Sequence, residues 1–261
     1  MTKIDRITLH ITDITPKTKW SFIAVETDDG AYGWGEASLQ GEEDAILAAA
    51  TSWQARLFEN ADPTPRLLGA PTDLAEAAVV SALDHALWDL AARRGGQSLA
   101  ALLGGAAGRL RPKCRRCCGV GLHRLQDRAE LGIGEQGFAP FLAAGIYDAM
   151  MPDVKYVGGL QTVMRLAEMF AAAGVGFSPH NPSGPICHAV SLHIAPPFPA
   201  ASGWQSSSTR ARSLKPSPPA PCRPCGAAPR LCPPPDWGWS SPWMKKFSRS
   251  MRGYAEAVRL N

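Results

Sequence analysis

A chain of 261 residues, 45% apolar and 19% charged, is long enough to bury a core and has the balance of an ordinary soluble globular protein. No apolar run approaches the roughly 18 residues that cross a bilayer, and the opening MTKIDRITLHIT alternates charge with apolar residues, which argues against a membrane span and a secretory leader. The formal charge of +4 hides a division: residues 196–261 hold 10 Lys/Arg against 2 Asp/Glu, whereas the first 195 carry 17 against 21 and all 6 histidines.

In chain order, Ile4 to Ile14 and Trp20 to Thr27 are rich in β-branched and aromatic residues, the composition of half-buried strands. Asp28-Asp29-Gly30 supplies a turn between strands, with Gly30 tolerating the positive φ, and a third strand runs through Tyr32, Trp34 and Glu36. Glu43 to Phe58 predicts a helix. The next helix is the best marked: Asp73 can cap it with Glu76 as reciprocal partner, Leu74, Ala77, Val80, Leu83, Leu87 and Leu90 recur at helical spacing, and Gly95-Gly96 ends it. A short helix at Ser98 to Leu103 stops at Gly104-Gly105. An antiparallel sheet followed by helices is an α+β unit.

From Gly132 to Ala195 the pattern becomes strands alternating with helices: a strand at Ile146 to Met151, a helix at Gln161 to Ala173, a strand at Val175 to Ser178 and a helix at Pro185 to Ile194. Such alternation predicts a parallel sheet or barrel. Residues 196–243 then carry 13 prolines in 48 positions with no hydrophobic period, which predicts a disordered, largely irregular tail; Gly253 to Leu260 predicts a terminal helical turn or two.

Seven cysteines are an odd number, expected to stay reduced in the cytosol. Two CxxC pairs, Cys114/Cys117 and Cys222/Cys225, have the spacing of zinc-ribbon halves, but more than a hundred residues separate them where a ribbon leaves about 15–20. A zinc- or nucleic-acid-binding module using these pairs and the basic tail is the alternative that this composition leaves open. The run Arg109 to Arg116 is read as a solvated linker.

The stretch ALDHALWDLAARRGGQSLAALLGG (82–105) and the hairpin VETDDGAYGWGEA (25–37) resemble the capping domain of the mandelate racemase and muconate lactonizing enzyme branch of the enolase superfamily. MPDVKYVGGLQ (151–161) resembles the sixth barrel strand and its helix. SPHNPSGPICHAVSLHIA (178–195) resembles the seventh strand and beyond, most nearly in acid-sugar dehydratases of the galactonate type. The resemblance implies an α+β N-terminal capping domain over residues 1–112 and a (β/α) barrel of TIM type, present only as a remnant of about strands 5–7 over residues 113–195. The tail occupies 196–261.

It also implies chemistry: abstraction of the proton α to the carboxylate of a sugar acid, by a dehydratase or racemase, with the enediolate held on Mg²⁺. Neither a membrane nor a nucleic acid is an expected partner, and homo-oligomer formation is left open. Glu135, in GIGEQ, resembles the third metal-binding carboxylate, His180 the catalytic base, and Asp153 the carboxylate that orients that base. Against these stand plainer readings: a solvated loop glutamate, an ordinary loop histidine and a turn-forming aspartate. His188 and His193 are expected to be structural.

A complete barrel takes about 250 residues and no fewer than roughly 200, whereas Lys113 to Ala195 supplies 83. The shortfall lies between Lys113 and Gly132, where neither a Lys-x-Lys motif nor acidic strand ends are found. Only Glu135 then remains as a ligand, and tight Mg²⁺ binding and activity are not expected. The single codons of Trp and Met also fix part of a shifted reading frame. Asp236/Trp237 and Trp237/Gly238 give Leu and Gly, Pro235/Asp236 permits Gly, and Trp243/Met244/Lys245 gives Asp-Glu. This resembles the family's usual C-terminal sequence, so residues after Ala195 are expected to be out-of-frame translation.

Overall fold

Two long strands of β-formers set the frame of the N-terminal unit. In the computed structural model, which describes residues 1–104, 125–126, 132–147, 149–180, 184–194 and 256–259, β1 (Ile4–Thr15) and β2 (Thr18–Thr27) pair antiparallel, with Thr15 opposite Thr18 across a two-residue turn. β3 (Tyr32–Glu36) pairs with β2 after the turn at Gly30, whose φ is 80°.

β2 is buried on both faces rather than one. Trp20, Phe22 and Ala24 join one apolar cluster, and Ile23 and Val25 the other. The half-buried expectation fails because the sheet is sandwiched. Helices α1 (Glu43–Glu59) and α2 (Leu74–Arg94) cover one side, and barrel elements the other. For the same reason α2 buries Ala78, Val79, Ala82 and Ala86 beyond its expected stripe. Asp73 caps α2 by accepting the Glu76 N–H at 2.8 Å, but Glu76 reaches back to Thr72, not to Asp73. A short α3 (Leu99–Leu102) follows, capped by Ser98.

β3 lies against α2 with no room for side chains. A Cβ on Gly33 would stand 2.0 Å from the Ala86 carbonyl oxygen, and one on Gly35 1.8 Å from that of Ala82. Glycine on the strand and alanine on the helix let the two backbones touch.

The second unit is parallel. β4 (Leu125–Gln126), β5 (Ala149–Met150) and β6 (Gly176–Phe177) form a three-stranded sheet in that order, interleaved with α4 (Gly134–Ala144), α5 (Leu160–Ala172) and α6 (Pro185–Ile194). Leu160, Val163, Leu166, Ala167 and Phe170 give α5 its buried face. Phe138, Phe170 and Phe177 stack in series with ring centroids 5.6 and 6.4 Å apart. Among the described residues the fold is thus an α+β N-terminal domain followed by a β/α unit of three parallel strands, part of a barrel.

Two expectations are corrected. Gly253 to Leu260 does not supply a helical turn at Glu256–Arg259; those residues form strand β7, antiparallel to Thr8–Ile11 of β1. The open edge of β1 offers unpaired backbone groups, and satisfying them outweighs the local helix preference of an alanine-rich segment. β4 also lies between Lys113 and Gly132, a stretch to which the local pattern assigns no strand. Its next residue in sequence, Asp127, lies outside the described residues, as do both CxxC pairs, the Arg109–Arg116 run and residues 195–255. Among the described residues no helix is long and apolar enough to cross a membrane.

Candidate active site

The parallel pairing of β5 and β6 continues past their ends. Ser178 N–H donates to the Met150 carbonyl at 3.0 Å, and His180 N–H to that of Pro152 at 2.9 Å. Asp153 and His180 thereby become bridge partners on adjacent parallel segments. Both stand at the carboxyl end of the sheet, the end at which β/α barrels carry their chemistry.

Asp153 is buried, and its Oδ1 accepts the Lys155 N–H at 2.9 Å, so it does organise a turn. Its Oδ2 has no hydrogen-bond partner among the described residues. Burial pushes the Asp153 carboxyl above the usual carboxylate range, with the Lys155 charge opposing. Glu135 is not in this group. It lies in the first turn of α4, half-exposed, with Oε1 3.4 Å from Arg165 Nη1 of α5. His188 and His193 lie on α6, with His193 buried.

The residues that join the two units carry no local signal in the sequence. Glu36, at the end of β3, is fully buried. Its Oε1 accepts the Gly184 N–H at 2.7 Å, and its Oε2 accepts those of Ile186 and Cys187 at 3.1 Å each. It therefore fills the donors at the start of α6, where a negative group is favoured. Burial raises the Glu36 carboxyl, and the Lys155 charge and these N–H groups act against that rise.

Lys155 is itself buried and donates to the Ser38 carbonyl at 3.1 Å and to the Tyr156 hydroxyl oxygen at 2.9 Å; the Tyr156 hydroxyl donates to Ser38 as well. Burial alone would lower the Lys155 ammonium, but the charges around it, Asp153 first, hold it above the ordinary lysine range.

On α2, Asp84 accepts the Leu160 N–H at 2.6 Å and Ser81 that of Gly158 at 3.1 Å, so the cap also holds the start of α5. Burial raises Asp84 from 3.8 to about 7. The unfolded chain ionises this group near pH 3.8 and the folded chain only near 7. Its favourable contribution is therefore present below pH 3.8 and lost as pH rises through about 7. Asp89 is shifted the same way, to about 7, whereas buried His85, lowered from 6.5 to about 3, acts in the opposite direction. The wild-type curve mixes these groups, so the difference isolates one: the melting temperature of Asp84→Asn minus that of wild type should rise from pH 4 to pH 7. A flat difference would show that Asp84 ionises normally.

Among the described residues no group of three or more His, Cys, Asp or Glu side chains is placed to hold a metal. Glu135 is engaged by an arginine, and octahedral Mg²⁺ needs several oxygens at one point.

The order of units matches known proteins. The profile of the mandelate racemase / muconate lactonizing enzyme N-terminal domain matches residues 7–104, and that of the enolase C-terminal domain-like family matches residues 129–226. The chain belongs to the mandelate racemase and muconate lactonizing enzyme branch of the enolase superfamily. The C-terminal match runs past Ala195, the boundary set by composition, and ends before the shifted-frame reading at 235–245.

D-galactonate dehydratase of Xanthomonas campestris pv. campestris (strain B100) is 39% identical over 69 residues, 24% of this chain and 18% of that protein. The same-named enzyme of Klebsiella pneumoniae (strain 342) is 36% identical over 74 residues, 26% of this chain and 19% of its own. The chain thus spans less than a fifth of the length of these curated relatives.

Among solved structures, an enolase from the Sargasso Sea environmental genome superposes with a TM-score of 0.65 at 15% identity, over 81% of this chain and 87% of that one. L-talarate dehydratase of Polaromonas sp. JS666, complexed with Mg and L-glucarate, gives 0.55 at 16%, over 78% and 86%. At identities this low the superpositions show the fold alone.

Proposed function

We propose that this chain derives from the magnesium-dependent acid-sugar dehydratases or racemases and keeps their base and its partner carboxylate without a tight metal pocket. The observation that supports this reading is the backbone bridge between Asp153 and His180, neighbouring residues on adjacent parallel segments at the carboxyl end of the sheet. In the ancestral reaction an imidazole nitrogen of His180 takes the proton α to the substrate carboxylate and becomes imidazolium, and Asp153 stabilises that charge. Asp153 Oδ2 is the oxygen left to accept a ring N–H.

The enolate oxygen formed in that step requires a strong positive partner. The described residues do not supply one, and Lys155 is committed to Ser38 and Tyr156. We accordingly read the chain as a cytosolic capping domain (1–112), a barrel remnant (113–195) and a tail (196–261), without turnover of its own. Galactonate and related sugar acids, supplied with Mg²⁺, should show no turnover above that of His180→Asn. Mg²⁺-dependent turnover that disappears in His180→Asn would overturn the proposal.

A further inference from the structure

The short cap segment from Glu36 to Ser38 touches both segments that carry the base and its partner. Glu36 grips Gly184, four residues after His180, through its carboxylate. The Ser38 carbonyl accepts from Lys155, two residues after Asp153. On its other side, His180 is held by its own N–H on Pro152. We propose that Glu36 is a positioning residue for His180: the backbone that carries the imidazole is pinned at Pro152 and again, through Gly184, by a carboxylate from the other domain.

This rests on the reading of His180 and Asp153 as base and partner. Three details support the clamp. Glu36 is fully buried and spends both oxygens on the start of α6, so it has no solvent role. Its countercharge, Lys155, belongs to the Asp153 segment, which ties the two pinned segments through one cap loop. Gly184 has no space for a side chain, since a Cβ there would stand 2.7 Å from Glu36 Oε1. The group in the way is the end of a side chain, so Gly184→Ala displaces the carboxylate without removing any charge.

The test is made on the full chain by NMR, following the ring titration of His180 and the hydrogen exchange of its amide. Asp153→Asn should lower the His180 midpoint by about one pH unit, because a neighbouring carboxylate favours the imidazolium. Gly184→Ala should lower it by about half as much, as the ring drifts from Asp153, and should raise exchange of the His180 amide about tenfold through local opening. Wild-type values for both readouts in Gly184→Ala would overturn the clamp. An unmoved midpoint in Asp153→Asn would instead remove the base–partner reading, leaving the clamp to be decided by the amide. Should Gly184→Ala fail to fold, Glu36→Gln is read by exchange of the His180 amide relative to the core amides of β2, a ratio that general destabilisation does not raise. Faster exchange supports the clamp and unchanged exchange overturns it.

Discussion

Replacing Glu36 by alanine should destabilise the chain by about 3–5 kcal/mol, the range for removing one partner of a buried charged network. The substitution leaves the N–H groups of Gly184, Ile186 and Cys187 without their acceptor and removes a countercharge from buried Lys155. The effect is that large because the groups left behind cannot reach water. Urea unfolding measures it directly. Glu36→Gln keeps an acceptor and the shape and should lose roughly half as much. A loss below about 1 kcal/mol in Glu36→Ala would mean that water replaces the carboxylate and that the units are not joined there.

Gly35→Ala should cost about 3 kcal/mol or more, at the upper end of overpacking effects. The added carbon would meet the Ala82 carbonyl at 1.8 Å and the Ala82 carbonyl carbon at 2.5 Å. Both belong to the backbone of a buried helix, so neither can rotate away, and β3 would have to lift from α2. Denaturant midpoints give the number. Gly30→Ala serves as contrast: it meets nothing within 4 Å and suffers only from its φ of +80°, so about 1 kcal/mol is expected. Equal losses in the two would remove the close approach of β3 and α2 as the cause.

What could be read from sequence follows from where the determinants lie. α2 was legible because its cap, stripe and stop are local, and α6 because its bounds at Pro185 and Ile194 frame an apolar run. β4 and β7 were not, since strands of two and four residues exist only by pairing with distant ones, β7 with β1 across the whole chain. The both-sided burial of β2 was missed for a related reason: an apolar run does not state what covers its second face. Asp153 and His180 were found through a family resemblance, and the sheet brings their backbones together. Glu36 gave no signal, because a glutamate ending a strand acquires meaning only from an amide 148 residues away. Glu135 was singled out by its motif, whereas in the fold it meets Arg165 near the surface.

The central claim is a base and its partner without a tight metal pocket, and titration calorimetry of the full chain with Mg²⁺ tests it most directly. No saturable heat is expected at millimolar Mg²⁺, with or without a sugar acid. Stoichiometric binding at micromolar Mg²⁺ that is lost in Glu135→Gln would contradict it, and would show that Glu135 serves a metal site.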